Sequence, residues 1–121
     1  MELKLRRNND GLSLSNFLKN IDGSLKIILE KIREFVLKSF PDVSEDIRNH
    51  RIVYGKNDIL RSFLDIRVLG SEIRILLYLK DNQDPREITK EHGNSWRYFT
   101  ISSNEQLNDA FTLIKLSYES V

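Results

Sequence analysis

In the stretch RVLGSEIR, Arg67 and Arg74 flank the pair Gly70 and Ser71. A two-residue hairpin turn there would set the two guanidiniums side by side, an arrangement able to hold a phosphate or carboxylate. The same register puts Leu69 against Glu72, Val68 against Ile73, Ile66 against Ile75 and Phe63 against Tyr78. Asp65 and Glu72 then fall on the diagonals of the arginine pair, and the four side chains can neutralise one another without a ligand. The self-paired arrangement is preferred to the clamp, because crossed charges are a common way of keeping an exposed sheet face solvated.

Alternation adds Phe63, Leu69, Leu76 and Tyr78 to that face, with Tyr54, Trp96 and Tyr98 as further members. Rings interleaved with arginine suit a single-stranded nucleic acid, whose bases stack on the rings while its phosphates meet the guanidiniums. The competing explanation is cover, either by an N-terminal segment carrying Leu3, Leu5, Leu14 and Phe17 or by a second copy of the chain, and apolar stripes are more often packing than site. His92, in KEHGNSW, has the imidazole a general base needs, beside Asn94, Ser95 and Trp96. A cation in the last turn of a short helix, facing the helix dipole, explains the same residue more simply. Glu72 and Arg74 with Asp58 or Asp65 loosely echo a magnesium-dependent nuclease site, but the expected base is lysine and short charge patterns arise readily by chance.

Composition removes larger classes of chemistry. The chain has no cysteine, which excludes disulfides, thiolate nucleophiles and thiolate zinc sites. It has no Gly-rich phosphate loop, no nucleophile elbow and no metal-ligand spacing around His50 or His92, so no catalytic residue, metal or cofactor is assigned. Nineteen basic and 18 acidic residues leave a net charge of +1, and any attraction to nucleic acid therefore has to come from a local patch. No apolar run approaches the roughly 18 residues of a membrane span, and MELKLRR is not followed by an apolar signal core, so a cytoplasmic setting without a membrane partner is expected.

At 121 residues, 40% hydrophobic and 31% charged, the chain has the size and balance of one folded domain. Residues 1–23 read as an N-terminal arm or edge segment with a short helix through Leu14, Phe17 and Leu18, and residues 24–121 as the domain proper. Leu25, Ile28, Leu29, Ile32, Phe35 and Val36 predict a helix over 24–39, capped by Asp22 or Ser24, stopped by Pro41 and carrying a Glu34–Lys38 pair. PDVSEDIRNH reads as a connection with a helical turn. HRIVYG, SFLDIRVLG, EIRILLYLK and RYFTIS read as strands. Asp84, Pro85, Glu87 and Gly93 predict a short helix over 85–92, and the capping box of Ser103 and Gln106 opens a closing helix over 104–118. The sum is an α+β fold: an antiparallel sheet of about four strands with helices packed mainly on one face.

Tyr54, FLDI, ILLYL, DPREI, TISSNEQL and LIKLSYES together resemble an uncharacterised domain family labelled "predicted transport protein", found alone or attached to restriction-type nucleases. This sequence departs from the family in the middle loop, where a Gly-rich stretch of the HWG type is represented by HGNSW, His92 to Trp96. The resemblance implies a role near nucleic acid or in defence against foreign DNA. Together with the residues it points to a non-catalytic binding or regulatory module whose contact surface is the outer sheet face and the 81–98 loop: Tyr54, Phe63, Arg67, Arg74, Leu76, Tyr78, His92, Trp96 and Tyr98. The alternatives are a homodimerising interaction domain that buries Phe63, Leu76 and Tyr78, and a small-molecule or enzyme site around His92 and Trp96.

Overall fold

The computed structural model of the chain describes residues 17–19, 21–48, 50–56, 61–80, 84, 87–93 and 95–121. The expected apolar stripe forms helix α1 (Gly23–Ser39), which buries Leu25, Ile28, Leu29, Ile32 and Val36 on one side, the spacing of a helix laid on a core. Asp22 stands at the N-cap without binding a helix amide and accepts a hydrogen bond from the Ser24 hydroxyl instead. The helix closes with the Phe40 N–H on the Val36 carbonyl, next to Pro41, and Glu34 and Lys38 form the expected exposed pair at 3.5 Å. Among the described residues no helix is long and apolar enough to cross a membrane.

Among the described residues six antiparallel strands follow: β1 (Val43–Ile47), β2 (Arg51–Lys56), β3 (Arg61–Leu69), β4 (Glu72–Tyr78), β5 (Lys90–Gly93) and β6 (Trp96–Ile101), in the order β1-β2-β3-β4-β6-β5. A 3₁₀ turn (Asn104–Gln106), held by the predicted Ser103–Gln106 capping box, leads into α2 (Leu107–Ser120). The fold is α+β as expected, but the sheet has two more strands than the sequence predicts. β1 replaces the predicted connection, and it escapes a period-two search because Ser44 and Asp46 are two of its buried positions. β5 stands where the end of a short helix is predicted, and its residues are mostly exposed, as on a solvated edge strand. Pro85 and Arg86 lie outside the described residues. Glu87 has φ +53, which a right-handed helix does not admit. Asp84 does cap amides, but those of Ile88 at 3.1 Å and Thr89 at 2.8 Å, closing a loop instead of a helix.

The β3–β4 register is the one predicted, from Leu69 opposite Glu72 to Ile66 opposite Ile75, around a turn in which Gly70 has φ +62. It turns Leu64, Ile66, Ile73, Ile75 and Leu77 to one face, where with Ile52, Phe99 and Ile101 they share a core with the buried residues of both helices. Phe17 and Ile21 pack against this core, while Leu3, Leu5 and Leu14 lie outside the described residues.

One irregularity decides a side chain that alternation misplaces. The β2–β3 ladder shifts between Tyr54, opposite Leu64, and Gly55, opposite Ser62, so that Phe63 is an extra residue in β3. The bulge turns Phe63 inward, edge-on to Phe40 at 5.4 Å and to Tyr118 at 5.1 Å, where it is fully buried. The β3–β4 pairing stops at Leu64 and Leu77, and Ser117 of α2 serves the backbone beyond it. Its hydroxyl accepts from the Tyr78 N–H at 2.8 Å and donates to the Phe63 carbonyl at 2.5 Å. Replacing Ser117 by alanine removes both of these hydrogen bonds inside the protein, and the expected loss is about 1–3 kcal/mol, read as a lower urea midpoint with an unchanged m-value; a midpoint equal to wild type would show that the bridge is dispensable.

Candidate functional site

Strand register assembles the charged groups of the opposite sheet face. Arg51 is opposite Arg67, and Arg67 is opposite Arg74. Arg48, one residue beyond β1, donates its N–H to the Arg51 carbonyl at 2.8 Å. Four arginines from neighbouring strands thus form a row about 14 Å long at the usual strand spacing. The next row runs Asp46, Val53, Asp65, Leu76, Tyr98, Lys90.

Like charges in direct opposition repel, and carboxylates relieve most of that repulsion. Arg48 Nε donates to Asp46 at 2.7 Å, Arg51 Nη1 to Asp65 at 3.0 Å, and Arg67 to both oxygens of Asp65 at 3.3 Å. The predicted quartet is therefore neutralised with different partners. Asp65 serves Arg51 and Arg67 and does not serve Arg74, because β2 brings a guanidinium to its other side. Among the described residues Arg74 reaches only its own strand neighbour Glu72, at 3.8 Å, and its Nε is buried without a hydrogen-bond partner there. Its guanidinium lies 4.2 Å from the centre of the Tyr98 ring, an aromatic face that attracts cations. Beyond Tyr98, Tyr78 and Trp96 meet edge-to-face at 5.7 Å.

Of the residues singled out from sequence, Arg67, Arg74, Leu76, Tyr78, Trp96 and Tyr98 do share this face, although Leu76 is itself buried. Phe63 and Tyr54 do not. Phe63 is turned into the core by the bulge, and Tyr54, paired with Leu64, is fully buried on the helix side. A dimer that buries Phe63 and Leu76 thus finds both already buried within one chain. His92 is exposed on the edge strand, at the point where the β5–β6 register shifts. Asp58 lies outside the described residues, Asp65 is held by two arginines, and among the described residues no three His, Asp or Glu side chains gather as metal ligands. Arg48, Arg51 and Asp46 were missed. The i, i+2 spacing of Asp46 and Arg48, repeated in Asp65 and Arg67, was the available signal.

Tyr54 belongs to a different cluster. Its hydroxyl donates to Glu45 at 2.6 Å, and Arg33 of α1 grips the same carboxylate through Nε at 2.8 Å and Nη2 at 3.0 Å. Burial first, then the Glu45 charge and hydrogen bond, push the Tyr54 hydroxyl far above the ordinary tyrosine range, with Arg33 acting weakly the other way. This triad fastens α1 to the sheet and presents no open reactive group.

A family model described as "Domain of unknown function (DUF5655)" matches residues 15–121. No curated protein and no solved structure matches the chain.

Because the native state keeps the Tyr54 proton where the unfolded chain loses it, native stability falls as pH rises past the unfolded value of about 10. Tyr54→Phe is expected to remove this part of the alkaline loss while costing about 1 kcal/mol at neutral pH for the lost hydrogen bond. Urea midpoints measured from pH 7 to 11 check it, and an identical alkaline slope in the variant would refute the assignment.

Proposed function

Taking as premise that the chain belongs to the DUF5655 family, we propose that it is a non-catalytic binding module that takes single-stranded nucleic acid on the sheet face bearing the arginine row. One observation carries this. Four guanidiniums stand in line against three carboxylates, and the least neutralised of them, Arg74, lies on the Tyr98 ring next to the Tyr78–Trp96 pair. Phosphates bridging Arg67 and Arg74 would supply the acceptors that Asp65 and Glu72 leave short, and bases would stack on the half-exposed rings. Lys90, opposite Tyr98 on β5, extends the cationic margin. A service to restriction or defence nucleases, as the family resemblance implies, fits such a module and is part of the proposal.

Trp96 is the one tryptophan of the chain, so its emission reports directly on the face. Titration with a single-stranded oligothymidylate at low salt should quench it saturably. Affinity should fall with salt at a log–log slope of about −0.7 for each phosphate engaged. Arg74→Gln should weaken binding and make that slope shallower by about 0.7. The absence of quenching at low salt, or wild-type affinity in an Arg67→Gln, Arg74→Gln double variant, would sink the proposal.

A further inference from the structure

Beside the β5–β6 hairpin lies a polar cleft of about 330 Å³ lined by Lys80, Asp84, Glu91, Ser95, Trp96 and Arg97, a size suited to a small molecule. Its charges are arranged unusually. Glu91 and Arg97 are cross-strand partners, a position in which carboxylate and guanidinium ordinarily bond each other. Here they do not. Arg97 is drawn onto Thr89, Nε to the hydroxyl at 2.5 Å and Nη2 to the carbonyl at 3.0 Å. Buried Thr89 is in turn fixed to Asp84 by its N–H at 2.8 Å and its hydroxyl at 2.5 Å. Burial opposes ionisation of Asp84, but the hydrogen bonds from Thr89 and Ile88 and the Arg97 charge hold its carboxyl below the ordinary value.

The result is a guanidinium locked in place with only part of its donor set used, facing a carboxylate, Glu91, that makes no ion pair among the described residues. Among the described residues two cations and two carboxylates line the same space, and between them the cleft offers little net attraction to a simple anion or cation. It offers opposite ends to a dipolar molecule. The surrounding backbone is strained as well: Glu87 at φ +53 and Ser95 at φ +72 are the non-glycine residues with positive φ among those described, and strain of this kind gathers at ligand sites. The Ser95 carbonyl accepts from the Leu79 N–H at 3.0 Å, which holds that strained residue against the end of β4.

We propose that this cleft binds a small zwitterion of the α-amino acid class, its carboxylate on Arg97 and its ammonium on Glu91. The site is independent of the arginine row. The test is isothermal calorimetry and thermal shift on the whole protein with the common amino acids at millimolar concentration, alongside matched amines lacking the carboxylate and matched acids lacking the amino group. At least one amino acid should bind at one per chain and raise Tm, with its amine and acid counterparts at least tenfold weaker. Arg97→Ala also removes the Thr89 anchor and can unfold the loop, so Glu91→Gln, which breaks no described hydrogen bond, is the discriminating variant: it should keep the unliganded Tm and lose at least tenfold in affinity. No heat and no shift with any amino acid, equal binding by the amine or acid analogues, or wild-type binding in Glu91→Gln would each overturn the proposal.

Discussion

The left-handed turn at Gly70 locks β3 against β4 in a register that a slip of one residue would invert, because successive strand side chains point to opposite faces. In the observed register Leu64, Ile66, Ile73, Ile75 and Leu77 meet the helices, and Asp65, Arg67, Glu72 and Arg74 meet on the other side. The core and the arginine row are therefore two consequences of one turn. β2 is added with Arg51 opposite Arg67, and β6 with Tyr98 opposite Leu76. Each neighbour extends the same division of faces.

The two faces manage charge differently. Under α1 a single carboxylate, Glu45, is closed off by Arg33 and Tyr54, and its partners are satisfied in a partly buried setting where an unpaired charge would be costly. On the opposite face carboxylates and arginines are spread along rows, with Asp65 shared by two guanidiniums and Arg74 poorly served. A network that is neutral at one end and short of acceptors at the other is where an external anion gains most. The cleft at the β5–β6 end follows a third pattern, in which an anchored guanidinium is held away from the carboxylate opposite it.

Much of this was legible in the residues. Helical stripes, the Gly70–Ser71 turn, the Ser103–Gln106 capping box and the α+β class all follow from spacing and turn chemistry, which are local. The differences from expectation have two causes. β1 and β5 lack the apolar period of a predicted strand because their positions are polar or exposed, which leaves Arg48 out of the expected charge network; Arg51 lies on the predicted strand β2, but its place opposite Arg67 is set by pairing between strands, not by a local signal. Phe63 takes the face opposite to the expected one because it is itself the extra residue of a bulge that strict alternation does not reveal, and Tyr54 takes the core face because it pairs with Leu64, a partner set by the β2–β3 register and not by any local pattern.

Sequence by itself determined the elements with strong local signals and one hairpin register, since a turn residue and the alternating side chains beside it act over a few positions. Only the tertiary structure decided which distant groups became neighbours: Ser117 bridging Phe63 and Tyr78, Arg51 competing for Asp65, and Arg97 turned from Glu91 to Thr89. These contacts depend on strand order, on a bulge and on the docking of α2. All three are settled by packing between segments far apart in the chain, for which no local pattern of residues carries a signal.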